Sequence, residues 1–178
     1  VTDTADMVEV DTGPMRFRVN KQRFTLFDTV AVDRNHDGQI TDEESLAGAG
    51  DLVVKSRDTE FRSSQDTESY QLTIEESGPL RATLRATGWF RDAHGKGFCQ
   101  FTVRLQAFAG QPQIRVLHTF IYTGYPANLF HHEYEGIALP DNETIQEIRL
   151  ELPTQTATGA TMTTADEERV LTTPLDAP

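Results

Sequence analysis

The chain has 178 residues, enough for one domain with a sizeable core. Its 28 acidic residues against 16 basic ones leave −12 at pH 7, which excludes a nucleic-acid partner held by clustered Lys and Arg. A single cysteine, Cys99, rules out an internal disulfide, and no apolar run is long enough to cross a membrane as a helix.

Residues 1–6 are polar and read as an N-terminal extension, a strand continuing into 7–11 that is either tucked onto the domain or donated to a second copy. Met7-Val-Glu-Val-Asp11 and Met15-Arg-Phe-Arg-Val19 alternate around a Thr12-Gly13-Pro14 turn and predict two short strands. Phe24–Val32, rich in aromatic and β-branched residues, predicts a strand leading into the next segment.

That segment, Asp33–Glu44, fits the twelve-residue calcium loop D-x-[DN]-x-[DN]-G-x5-E at each constrained position. Asp33, Asn35 and Asp37 offer side-chain oxygens and Gly38 permits the sharp turn. Gln39 offers its backbone carbonyl, Thr41 a ligand direct or through water, and Glu44 both carboxylate oxygens. Ile40 is expected to tuck into the core. The following Ser45–Gly50 allows at most one helical turn, so no helix pair can open as in a calcium sensor. An EF-hand-like loop inserted between strands is therefore expected to act as a structural staple, with Ca2+ as the cofactor.

Asp51–Lys55 predicts a short strand and Ser56–Ser69 a polar loop. Tyr70–Glu75, Leu80–Thr87, Cys99–Ala107 and Gln113–Tyr122 then alternate through tight turns, an antiparallel meander with one buried face. Leu80, Ala82, Leu84 and Ala86 are expected to point inward, and Cys99 to be a buried, inert thiol. Asp11-Thr-Gly-Pro-Met-Arg16 is echoed by Glu76-Ser-Gly-Pro-Leu-Arg81, either a duplicated unit or a recurring turn solution. Tyr134–Leu139 and Ile145–Leu152 predict further strands, and residues 153–178 an extended Thr/Ala/Pro-rich tail. The fold class is all-β: an antiparallel barrel or sandwich over 7–152 with the calcium loop inserted at 33–44.

The catalytic prospects are poor. His131, His132, Glu133 and Tyr134 form the one cluster suited to acid–base work, but adjacent residues of an extended segment point opposite ways. His118 shares a strand face with Val116 and Phe120 and reads as a core-edge histidine with a hydrogen bond. Trp89 and Tyr125 near strand ends, with Arg85 and Arg104 on a sheet face, are the candidate contacts for an acidic polysaccharide; core packing and cross-strand pairing with Glu are the plainer alternatives. Asn142-Glu-Thr144 matches a glycosylation acceptor. The chain begins at Val1 without a hydrophobic leader, which together with a calcium loop fits a processed extracellular or cell-surface product.

Glu75-Glu-Ser-Gly-Pro-Leu-Arg-Ala-Thr-Leu-Arg85 resembles the N-terminal β domain of the exo-rhamnogalacturonan lyase family, as does Arg104-Leu-Gln-Ala-Phe-Ala-Gly-Gln-Pro-Gln-Ile-Arg-Val-Leu-His-Thr-Phe120. Val10-Asp-Thr-Gly-Pro-Met-Arg-Phe17 and a DxDxDG-type insertion after Leu26-Phe27-Asp28 fit the same pattern. The resemblance implies a small RIFT-type barrel preceding a large helical catalytic domain. The chain stops short of such a domain, so no catalytic residue transfers and lyase activity is not implied. Two functions are expected: a structural module assembling with other copies into an oligomer or filament, and an accessory glycan-binding domain of a lyase-like enzyme.

Overall fold

Alternation of apolar and polar residues becomes two antiparallel sheets in the computed structural model, which describes residues 1–123, 145–153, 159–163 and 170–174. The first sheet runs in chain order: β1 (Thr2–Asp3), β2 (Met7–Asp11), β3 (Met15–Asn20), β4 (Thr29–Val32) and β5 (Ser45–Ala47). The second contains β6 (Asp51–Ser56), β7 (Thr59–Arg62), β8 (Gln71–Ser77), β9 (Arg81–Arg91), β10 (Gly97–Phe108), β11 (Ile114–Ile121) and β12 (Ile145–Glu151). Its order is β11-β10-β9-β7-β6-β12, with β8 also paired to β9. A separate hairpin pairs β13 (Gly159–Thr163) with β14 (Val170–Pro174), within the tail read as merely extended. The all-β, antiparallel expectation therefore holds.

One core joins the sheets. Val8, Val10, Phe17 and Val19 of the first face Leu52, Val54, Phe61, Leu84, Phe101, Val103 and Leu105 of the second. Phe24 stacks on Phe101 with ring centroids 5.2 Å apart, and burying one such ring stabilises the fold by about 1.5–3 kcal/mol. Polar cross-links complete the join. The Tyr70 hydroxyl donates to Asn20 O at 2.7 Å, and the Ser63 hydroxyl contacts Phe24 O and Asp51 Oδ1.

Four expectations change. Phe24–Asp28 is not strand: Phe24, Leu26 and Phe27 are all buried, and Leu26 adopts a φ of 59°. A period-two strand could not turn all three inward. Ser56–Ser69 is not all loop. Arg57 (φ 53°) turns the chain so that β7 pairs back on β6 and buries Phe61. Leu80 precedes β9 in a turn and is 77% exposed, whereas Ala82, Leu84 and Ala86 do point inward. In β10 the register shifts between Gly97 and Gln100; this bulge, with Cys99 at φ 64°, lets both Phe98 and Cys99 be buried.

The echoed turns share a physical solution. Arg16 donates to Asp11 and Arg81 to Glu76, the acid lying five residues before the arginine in each. Both turns also dock on the β10–β11 turn: Ala109 N donates to Leu80 O at 3.0 Å, Gly110 N to Thr12 O at 2.7 Å, and the Thr12 hydroxyl to Gln111 O at 2.9 Å.

Residues 1–6 fold back in cis. β1 pairs with β2 at Thr2↔Glu9 and Asp3↔Val8, and Lys21 Nζ donates to Thr4 O at 2.6 Å.

Candidate metal centre

The loop 33–44 joins β4 to β5, which pair at Val30↔Ala47 and Ala31↔Ser45, so its two ends are held by one hairpin. Asp33 N donates to Pro14 O at 3.0 Å, tying the loop entrance to the β2–β3 turn. Inside the loop short polar side chains fold the backbone. Asp37 N donates to Asn35 Oδ1 and Gln39 N to Asp37 Oδ1, and Asn35 Nδ2 reaches Asp37 Oδ2. His36 and Gly38 take φ of 60° and 79°; at Gly38 no Cβ has to be accommodated. A 3-10 turn at Asp42–Glu44 closes the loop.

Asp33 and Glu44, at the first and last positions, are buried, while Asn35, Asp37, Gln39 and Thr41 are exposed. Glu44 turns one oxygen to Thr41 N (3.0 Å) and the other to Arg34 N (2.9 Å). The Thr41 N–H, then those of Arg34 and Asn35, hold its carboxyl below the usual carboxylate range despite the opposing effect of burial. Asp33 Oδ2 accepts from Gly38 N at 2.9 Å. Asp33 Oδ1 is buried with no hydrogen-bond partner.

Among the described residues no three Asp, Glu, His or Cys side chains converge as a metal-ready group. The loop's donor set is mixed, with an amide, a hydroxyl and a backbone carbonyl beside its carboxylates, the hard-oxygen chemistry calcium prefers. Ile40 departs from expectation. It is half-buried beside Arg16, Arg18, Thr29 and Ala31, which line a groove on the outer face of the first sheet, and does not enter the core. The pairs Arg16↔Ala31 and Arg18↔Thr29 set the side chains that form this outer face.

Three of the four candidate glycan contacts, Arg85, Trp89 and Arg104, fall on the outer face of β8–β9–β10. Trp89 and Arg85 share a face of β9, and Arg104 lies directly across from Arg85 on β10. Glu75 lies between the two arginines. Arg104 donates to it at 2.7 and 3.0 Å, Arg85 Nε lies 3.5 Å from it, and these cations lower the Glu75 pKa, the Arg104 hydrogen bond most of all. Trp89 is half-buried and packs over Gly97, where a Cβ would lie 3.2 Å from the indole ring. A shallow groove beside it is lined by Gln71, Thr87, Gln100 and Thr102, none of them charged. Tyr125, the cluster His131–Tyr134 and Asn142 lie outside the described residues.

One residue of consequence carried no signal in the sequence. Asp66, fully buried, collects four donors: Ser69 N and Arg91 Nε on Oδ1, Ser69 Oγ and Trp89 N on Oδ2. Burial raises its pKa, but the bonds from Ser69, Trp89 and Arg91 outweigh it and the net shift is downward. It thereby fixes the strand end that carries Trp89. His118 Nε2 is buried without the hydrogen bond expected of it, its ring set edge-on to Phe90 and Phe120. Burial lowers its pKa.

A family model described as the PcRGLX-like protein central beta sandwich domain matches residues 1–133. The chain belongs to this family, which bears out the resemblance to a rhamnogalacturonan lyase β domain. The family description makes the domain central and a sandwich, where the resemblance implied an N-terminal barrel. Comparison with curated proteins gave no match.

Proposed function

We propose that this chain is a non-catalytic β module of a rhamnogalacturonan-lyase-like protein, stapled by one calcium ion at Asp33–Glu44. The observation that carries the reading is Asp33 Oδ1, a carboxylate oxygen buried without a partner at the first position of a fully matched loop. A buried acceptor left bare costs about 1–3 kcal/mol, and a bound divalent cation removes that cost. The side chains of Asp33, Asn35, Asp37 and Glu44, the Gln39 carbonyl and Thr41 would hold the ion. Bound calcium would supply charge neutralisation and a cross-link between β4 and β5, in a chain whose one cysteine cannot form an internal disulfide. Calcium outside cells is plentiful enough to fill even weak sites of this type, which favours an extracellular or cell-surface setting.

Calorimetric titration of Ca2+ into the chelator-treated chain tests this. One ion should bind per chain, and Asp33→Asn should abolish the heat. Absence of binding by the unaltered chain would reduce the loop to a turn.

A second reading, contact with glycan, is favoured by the uncharged groove beside Trp89. An indole face flanked by amides and hydroxyls suits sugar stacking with hydrogen bonding. Binding of pectin fragments should quench Trp89 fluorescence, the chain's single tryptophan, and Trp89→Ala should remove the affinity. Unchanged fluorescence and no retention on any pectic or neutral glycan would end this reading.

A further inference from the structure

In β12 and at the residue that follows it, the side chains of Ile148, Leu150 and Leu152 are 47%, 46% and 40% exposed. They nevertheless belong to the core face of the second sheet, because Ile148 lies opposite Val54 and Leu150 opposite Leu52, both buried. The apolar layer thus runs past β6 onto side chains that are nearly half exposed. Among the described residues β12 pairs with β6 alone, and no described strand lies along its other edge. An apolar edge with no strand along it among the described residues is a template for another strand.

The other face of β12 is charged. Arg149 lies within 3.3 Å of Glu60, Glu147 and Glu151, and Arg62 bridges Glu60 and Glu151. The order along the strand is therefore apolar at 148, 150 and 152, basic at 149 and acidic at 151. An antiparallel two-fold axis through Leu150 reads this order back onto itself. Ile148 then faces Leu152 of a second copy, Leu150 faces its own mate, and Arg149 faces Glu151 of the second copy.

From this register we propose that the β12 edge binds a second copy of this chain, extending the seven-stranded sheet across a two-fold axis. Each Arg149 holds its own Glu151 at 2.8 Å and meets the other copy's Glu151, so four alternating charges close a ring. The apolar layers of the two copies become continuous on the opposite face. An isologous contact of this kind closes at a dimer. With five residues on each side and −12 on each chain, the dimer is weak and strengthens with concentration and salt. It requires neither calcium nor the terminal strand β1, so it stands apart from the proposed staple.

Light scattering and sedimentation of the chain over a wide concentration range, in calcium and in chelator alike, test the pairing. The mass should rise from 19.9 kDa towards twice that value. Leu150→Lys, which sets two introduced lysines against each other on the axis, should hold the chain monomeric at every concentration. The double variant Ile148→Lys with Leu152→Glu should dimerise again, because each introduced lysine then faces an introduced glutamate. A monomer throughout would overturn the proposal and assign the edge to another part of a longer protein. Dimerisation that persists in Leu150→Lys, a monomeric double variant, or assemblies larger than two would each overturn it as well.

Discussion

Replacing Asp66 by Asn tests whether the buried carboxylate organises the strand end carrying Trp89. Both its oxygens are filled by donors: Oδ1 by Ser69 N (3.1 Å) and Arg91 Nε (2.9 Å), Oδ2 by Ser69 Oγ (2.7 Å) and Trp89 N (2.8 Å). An asparagine amide must turn its NH2 towards one of these pairs. The Ser69 hydroxyl can rotate to accept, but neither backbone N–H nor the Arg91 guanidinium can. Either orientation leaves a buried N–H facing another donor and Arg91 without its charged partner. Arg91 is 19% exposed and Asp66 fully buried, so solvent restores little. Breaking a buried pair from one side costs about 3–5 kcal/mol, which for a chain of this size lowers the melting temperature by roughly 6–20 °C. Thermal melts followed by circular dichroism read this directly. The pH profile gives a second readout. Because the folded pKa lies below its unfolded value, Asp66 contributes stability above about pH 4 that is lost as pH falls through the folded pKa. Asp66→Asn should flatten that acid limb. A loss below about 1 kcal/mol, the worth of one ordinary hydrogen bond, with an unchanged acid limb, would refute the reasoning.

Asp33→Asn should lower the melting temperature in calcium, where an ion at a hundredfold over its Kd is worth about 2.7 kcal/mol, and leave it unchanged or raised in chelator; equal losses in both would count against the staple. Gly88→Ala should destabilise by about 1–3 kcal/mol, since the new Cβ would lie 2.7 Å from Phe101 Cζ and 2.9 Å from Asp66 Oδ2, and Phe101→Leu should return part of the loss in urea denaturation. Burial, with the nearby Asp28 charge, raises the Tyr70 phenol well above its usual value; the unfolded chain ionises first, so stability should fall as pH climbs past about 10. Spectrophotometric titration should find the Tyr70 phenol ionising only on unfolding. The Cys99 thiol, fully buried, should resist a thiol reagent until denaturant is added.

Much of the fold was legible because burial on one sheet face leaves a period of two. Phe101, Val103, Leu105 and Ala107 are buried as that rule requires. The rule fails where burial is not one-sided. Phe24–Phe27 abandons the strand to bury three side chains, and β7 offers only Phe61 as an inward anchor among Thr59, Glu60 and Arg62. The calcium loop was legible because its spacing is a local property of the chain. That its first carboxylate oxygen is bare and buried depends on how β4 and β5 close around it, which no local pattern records. Asp66 was invisible for a related reason. Within Ser63-Ser-Gln-Asp-Thr-Glu-Ser69 it looks like any polar loop residue, and its donors come from Trp89 and Arg91 on β9, which is distant in sequence.

The two echoed turns bear on how this domain could be engineered. The β9–β10 turn, Asp92–Gly97, is satisfied by its own residues and the adjoining Arg91: Gly95 N donates to Asp92 O, His94 N and Lys96 N to Asp92 Oδ1, and Arg91 to Gly95 O. A peptide inserted there would disturb one hairpin tip. The Ala109–Gln111 turn looks equally permissive in the sequence, yet its backbone receives both the β2–β3 and the β8–β9 turns. Grafting an epitope or reopening the chain at that point would unfasten the two sheets together, so of two similar surface turns only the first is a port for new sequence.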